Sequence, residues 1–195
     1  MNLSAALGLY DRWADRHLQK IHTALLDMAH LTGNEMILDL GCGTGRLAAL
    51  AKQRHPDVQI RGVDPSPQMI KAARKRNQRN IPEGNFVIGH ATDLPYEDDS
   101  FDTVFTCLVL HLLDRDETER ALHEIHRVLK PQGRYISIEF QSYPIHWLSS
   151  KQAAYPEDLL PKANLSVATE TPGPSITRRH HATYRIITPT GARQT

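Results

Sequence analysis

Three glycines on alternate positions, Gly41, Gly43 and Gly45, end the apolar run Ile37-Leu38-Asp39-Leu40 and lead straight into Arg46-Leu47-Ala48-Ala49-Leu50-Ala51. A strand that stops at glycines and turns into a helix is the form in which a chain holds a nucleotide cofactor. Glycine serves because the backbone must take positive φ where a side chain would block the ligand, and the exposed amides at the helix start hold an anionic group. Asp64, nineteen residues after Gly45, closes a second apolar run, Val58 to Val63, where a carboxylate accepts both hydroxyls of a ribose. A third run, Asn85 to His90, is followed by Asp93. Taken singly, an aspartate after a strand is more often a turn former or a helix cap. Three such features in order, each at the end of a successive strand, line one rim of a parallel sheet.

The glycine spacing decides between cofactors. A dinucleotide fingerprint places a glycine three residues after the second one, under a pyrophosphate; that position here is Arg46. The string Leu38 to Gly45 instead resembles motif I of the class I S-adenosylmethionine (SAM) dependent methyltransferases. SAM carries no phosphate, and its methionine part suits the glycine amides for the carboxylate and Asp39 for the ammonium. The resemblance implies Asp64 on the ribose, Asp93 on the adenine amine, and further cofactor contacts from Cys42, Pro65, Met69, Thr92, Leu94 and Cys107. It narrows at Tyr10-Asp11-Arg12-Trp13-Ala14, at Asp99-Ser100-Phe101-Asp102 and at Glu124 to Gly133, which resemble the small-molecule branch that includes the ubiquinone and menaquinone biosynthesis methyltransferases. The likeness covers residues 10 to 140; Gln132 stands where that branch usually has glycine, and the thinner match beyond leaves the acceptor unidentified.

The implied chemistry is an in-line displacement at a sulfonium carbon, with a small molecule as methyl acceptor. Such a reaction needs orientation and a dry site more than a catalytic dyad, and a base only where the acceptor must lose a proton. His111, after the fourth strand, is the candidate base, since imidazole titrates near neutrality; a histidine that caps or packs under the next turn is the alternative. Glu139, at the end of the fifth strand, is a candidate substrate contact or a carboxylate hydrogen-bonded at the sheet's end. Tyr10, Trp13, Tyr143, His146 and Trp147 flank the expected pocket mouth, either as an aromatic lid or as the apolar faces of short helices. A SAM-binding protein that transfers nothing is a competing reading, because fold does not fix chemistry.

Composition excludes other classes. The formal charge of +1 supplies no field for nucleic acid or an anionic membrane. Cys107-Leu108-Val109-Leu110 also lacks the Asp/Asn-Pro-Pro-aromatic signature of base-methylating enzymes. Eleven histidines raise a metal site, yet His123 and His126 share a helix face without a third ligand, so no metal is expected. Two cysteines, Cys42 and Cys107, make no disulfide framework and fit a cytoplasmic protein. No run nears the ~20 apolar residues of a membrane span, and the N-terminus lacks a signal peptide's pattern. The sequence leaves monomer and homodimer open.

The elements that must position these residues alternate. Strands are expected near 36–40, 58–64, 85–90, 102–110 and 134–140, and helices near 45–54, 67–79 and 116–130, the last stopped by Pro131-Gln132-Gly133. Leu18, Ile21, Leu25 and Met28 mark an amphipathic helix within 11–31. Beyond 140, a short helix near 145–154 and two strands, 165–171 and 182–188, are expected around Pro172-Gly173-Pro174. The fold class is therefore α/β, a Rossmann-like, doubly wound, mostly parallel sheet in a three-layer αβα sandwich with a C-terminal antiparallel hairpin. A single domain is read as an N-terminal helical lid (1–32), a cofactor-binding core (33–140) and a substrate cap with edge hairpin (141–195).

Overall fold

Apolar residues on both faces of a short strand demand cover on both sides, which only a central parallel sheet between helices provides. In the computed structural model, which describes residues 18–140, 157–177 and 180–190, the elements are α1 (18–29), β1 (Met36–Leu40), α2 (Arg46–Arg54), β2 (Gln59–Asp64), α3 (Pro67–Asn77), β3 (Phe86–Ile88), β4 (Phe101–Cys107), α4 (Arg115–Val128), β5 (Leu129–Phe140), β6 (Leu165–Thr177) and β7 (His180–Pro189). Ile37 packs with α1, α2 and α3 residues such as Leu25, Leu47 and Ile70, while its neighbours Leu38 and Leu40 pack with Leu122 and Ile125 of α4. Two cores, one on each face of the sheet, give the three layers.

The strand order is β3-β2-β1-β4-β5-β7-β6. β1 to β5 pair in parallel, and β7 runs antiparallel to β5 and to β6. The chain winds from β1 outwards to β3 and then returns to the other side of β1, so the order reverses between β1 and β4. Ligands of doubly wound sheets sit outside the strand carboxyl ends at such a point.

Local chemistry sets the helix starts. Asp114 caps α4 by accepting from the Glu117 amide at 2.8 Å, and Glu117 Oε2 accepts from the Asp114 amide at 2.9 Å, a reciprocal capping box. Ser66 caps α3, accepting from the Met69 amide at 3.3 Å, with Pro67 in the first turn.

Several expected boundaries are corrected. β4 ends at Cys107 rather than 110, because Leu108 turns to φ +59° and Leu110–Leu112 form a 3-10 turn. β3 is only Phe86–Ile88. α4 stops at Val128, before Pro131-Gln132-Gly133, since the residue ahead of a proline avoids the helical region; those three residues lie in the register irregularity of β5 between Leu129 and Arg134. Pro172-Gly173-Pro174 is not the hairpin turn. It sits inside β6 at a register shift, pairing runs on to Thr177 and His180, and β6 is the edge strand, where prolines cost no ladder bond. The expected helix near 145–154 and residues 11–17 lie outside the described residues.

Candidate active site

The carboxyl ends of β1, β2, β3 and β4 surround a cleft of about 460 Å3, lined among others by Gly41, Gly43, Asp64, Met69, His90 and Val109. A larger hollow of about 800 Å3 lies along the outer face of α3 beside β3 and includes none of the glycine turn; it opens away from the point where the strand order reverses.

Asp64 is the hinge of the turn. Its Oδ2 accepts from the Gly43 amide at 3.0 Å and its Oδ1 from the Ser66 amide at 2.9 Å, so one carboxylate ties the loop after β1 to the start of α3. Each oxygen keeps a second lone pair. Behind the turn, a second cavity of about 40 Å3 is lined by Asp39, Gly41, Gly43, Thr44, Cys107 and His22, with Leu18, Cys42, Arg46 and Leu47. Asp39 is 3% exposed, and among the described residues its Oδ2 has no hydrogen-bond partner. Burial first, and the Asp64 charge second, push its carboxyl up to about 7. An unmet buried carboxylate facing a small cavity calls for a cation.

At the other wall, Leu108 at φ +59° is costly for a leucine, roughly 1–2 kcal/mol. Glu139, 2% exposed, holds that bend: its Oε1 accepts from the Val109 and Leu110 amides, both at 2.9 Å, and its Oε2 lies 3.1 Å from His111 Nδ1. A carboxylate only accepts, so Nδ1 carries the ring proton and Nε2 is the basic nitrogen. Burial pushes both the Cys42 and the Cys107 thiol up, away from reactive thiolate.

Residues 37–133 match the family described as methyltransferase domain. Over 139 residues the chain is 31% identical to a demethylmenaquinone methyltransferase of Thermotoga maritima, an alignment covering 71% of this chain and 55% of that protein. The chain belongs to the class I SAM-dependent methyltransferases. It spans little more than half the length of that curated relative. The methyltransferase in a complex with the Haloferax volcanii Trm112 methyltransferase activator superposes with a TM-score of 0.79 at 20% identity, covering 98% of this chain and 97% of that one. The cyclase SpnF gives 0.75 at 20% identity, covering 88% and 81%. At these identities the likeness is one of fold.

The donor fits the methyltransferase on two counts. A Cβ built on Gly43, whose φ is +51°, meets nothing within 4 Å, so the space beside that residue is open to a ligand. Asp39, one oxygen of which is unpartnered, lines the cavity that would take an ammonium. Of the nominated residues, Gly41, Gly43, Asp64, Pro65, Met69 and Cys107 line the main cleft, and Asp39 and Cys42 the inner cavity. Gly45 lies under α3 instead, its Cα where a Cβ would come within 2.5 Å of Asn77 Nδ2.

Other nominations fall outside the cleft. Leu94 is buried in the α4-side core with its amide given to Glu124 Oε2 at 2.7 Å, so it closes its loop rather than lining the cavity. Asp93 is exposed and does not line the cleft; Thr92 accepts or donates at 2.9 Å to His90 Nδ1. His111 and Glu139 stand together behind the Val109–Leu110 wall. Tyr10, Trp13, Tyr143 and Trp147 lie outside the described residues. Sequence reasoning missed Ser66, Gly89, His90, Ala91 and the Leu108–Leu113 turn as lining; they qualify by following a strand end, not by residue type.

Asp39 yields a test with a defined sign. Its folded pKa near 7 lies above an unfolded value near 4, so the associated stability is fully present below pH ~4 and is lost as pH rises through ~7. Asp39→Asn is therefore expected to raise the melting point of the ligand-free protein at pH 8, by a stability gain of order 2–4 kcal/mol, and to weaken S-adenosylhomocysteine. Parallel melts across pH 4–8 check it; a variant that melts below the parent at pH 8 contradicts the account. Among the described residues no cluster of His, Cys, Asp and Glu is placed to hold a metal, and no helix is long and apolar enough to cross a membrane.

Proposed function

We propose that this protein transfers the methyl group of SAM to a small-molecule acceptor lodged against the Leu108–Leu113 turn, with His111 as the base where the acceptor must lose a proton. The observation that carries the reading is a cleft walled on one side by the glycine turn and on the other by the apolar Leu108, Val109, Leu112 and Leu113; His111, paired through Nδ1 with Glu139 Oε2 at 3.1 Å, belongs to that second turn without lining the cleft. The methyltransferase of Thermotoga maritima named above, which by its name acts on demethylmenaquinone, supports an acceptor of low mass.

Bound SAM supplies an electrophilic methyl group on a sulfonium whose charge disperses as the methyl leaves. Asp39 holds the ammonium of the methionine end and Asp64 the ribose hydroxyls, while the glycine turn, whose Gly41, Cys42, Gly43 and Gly45 amides are given within the chain, leaves the space beside Gly43 open for the rest of that end; the resemblance supports Asp93 on the adenine amine. Apolar residues of the turn, Leu108, Val109, Leu112 and Leu113, exclude water from the acceptor. Holding acceptor and methyl in line is worth roughly 7–11 kcal/mol, the larger share of the catalysis. His111 Nε2 takes the acceptor's proton, and Glu139 stabilises the imidazolium that results. A cytoplasmic setting fits two free, unreactive thiols.

Asp64→Ala is expected to weaken S-adenosylhomocysteine by about a hundredfold, because two charge-assisted bonds are lost. Calorimetry reads it, and a Kd within threefold of the parent removes Asp64 from the ribose. Methyl-labelled SAM supplied with a metabolite extract tests the activity: a labelled product of low mass supports it, label in RNA or protein overturns the acceptor class, and cofactor binding without any labelled product favours a SAM-binding protein that transfers nothing.

A further inference from the structure

The inner cavity behind the glycine turn has a second polar wall. His22, on α1, is 7% exposed. It lines the same 40 Å3 space as Asp39 and Gly43, and Leu18, one turn earlier on α1, lines it too. Together with Arg46 it also lines a second cavity of about 250 Å3 beyond, so it forms the partition between the two.

We propose that His22 is a cofactor-binding residue: its ring nitrogen accepts a hydrogen bond from the ammonium of the donor's methionine end, which it shares with Asp39 Oδ2. The assignment rests on the SAM reading above. Burial drives the His22 pKa down to about 4, so the ring is neutral and offers one acceptor and one donor. A charged ring would repel the ammonium, and the Asp39 carboxylate alone leaves that group's further donors unmet in a space the size of a single small polar group. The donor family's aspartate and glycines are announced by sequence. His22 is not, because it comes from a helix ahead of the motif and reaches the turn only through packing of α1 on the sheet.

The test cuts the ligand as well as the protein. S-adenosylhomocysteine and its deaminated analogue, which keeps the carboxylate and lacks the ammonium, are titrated by calorimetry into the full-length parent, His22→Leu and His22→Gln. Expected is a loss of about tenfold for S-adenosylhomocysteine in His22→Leu, no change beyond twofold for the deaminated analogue, and recovery of most of the loss in His22→Gln, which restores an acceptor. Equal losses for both ligands assign His22 to packing alone and overturn the proposal, as does an unchanged affinity for both. His22→Met fills a similar volume with only a weak thioether acceptor and replaces the leucine variant should that fail to fold. Parent protein that binds neither ligand would instead overturn the cofactor reading itself.

Discussion

Gly43→Ala is expected to weaken S-adenosylhomocysteine by roughly a hundredfold or more, about 2.7 kcal/mol, while the protein stays folded. The Cβ would stand where nothing in the chain comes within 4 Å, on a residue that lines both the main cleft and the inner cavity. Only a ligand meets it there. The fold loses only the strain of a non-glycine residue at φ +51°, about 1–2 kcal/mol, which lowers the melting point by a few degrees in a chain of this size. Gly45→Ala is the control with the opposite cause: its Cβ would fall 3.1 Å from the Ala73 backbone Cα and 2.5 Å from Asn77 Nδ2, whose amide spans Gly45 and Ala73 carbonyls at 3.0 Å. That change damages the packing of α2 on α3 before it touches the ligand. A Gly43→Ala protein that binds with parental affinity would show that the cofactor does not lie against this turn.

Much of the cleft lining at the glycine turn was legible because its signals are local. Glycine spacing, the strand-end aspartates and the alternating pattern are all short-range; of the residues they single out, Gly41, Gly43 and Asp64 line the main cleft and Asp39 the inner cavity, while Asp93 lines neither. The fold class follows from the same alternation, since apolar strands separated by helices can be covered only in a doubly wound sheet. What could not be read is what depends on long-range pairing. Glu139 was an acid at a strand end with two readings open; that it pins Val109 and Leu110, 30 and 29 residues away, emerges only from the β4–β5 register. The strand was expected to run to Leu110 because Leu-Val-Leu is a strong β sequence, yet the carboxylate outbids that propensity and turns the chain at Leu108. The prolines of the edge strand misled in the same way: Pro-Gly-Pro signals a turn locally, whereas an unpaired edge tolerates it.

Glu139→Gln is expected to leave the fold and S-adenosylhomocysteine affinity near those of the parent and to lower turnover by about 10²–10⁴-fold with an acceptor that must lose a proton. Glutamine keeps one oxygen to accept from the Val109 and Leu110 amides, the two bonds that hold the bend. Its other terminal atom becomes a donor, aimed at His111 Nδ1 across what is now a 3.1 Å contact with a carboxylate oxygen. A donor there requires Nδ1 to accept, which moves the ring proton to Nε2. The imidazole then presents an N–H where the acceptor's proton must go, and it loses the carboxylate that steadies its charged form. Since the exchange preserves shape and backbone bonds, a melting curve and a calorimetric titration separate lost chemistry from lost structure. The loss should be confined to acceptors that shed a proton. Turnover within threefold of the parent on such an acceptor would make His111 and Glu139 supports of the Leu108 bend and nothing more.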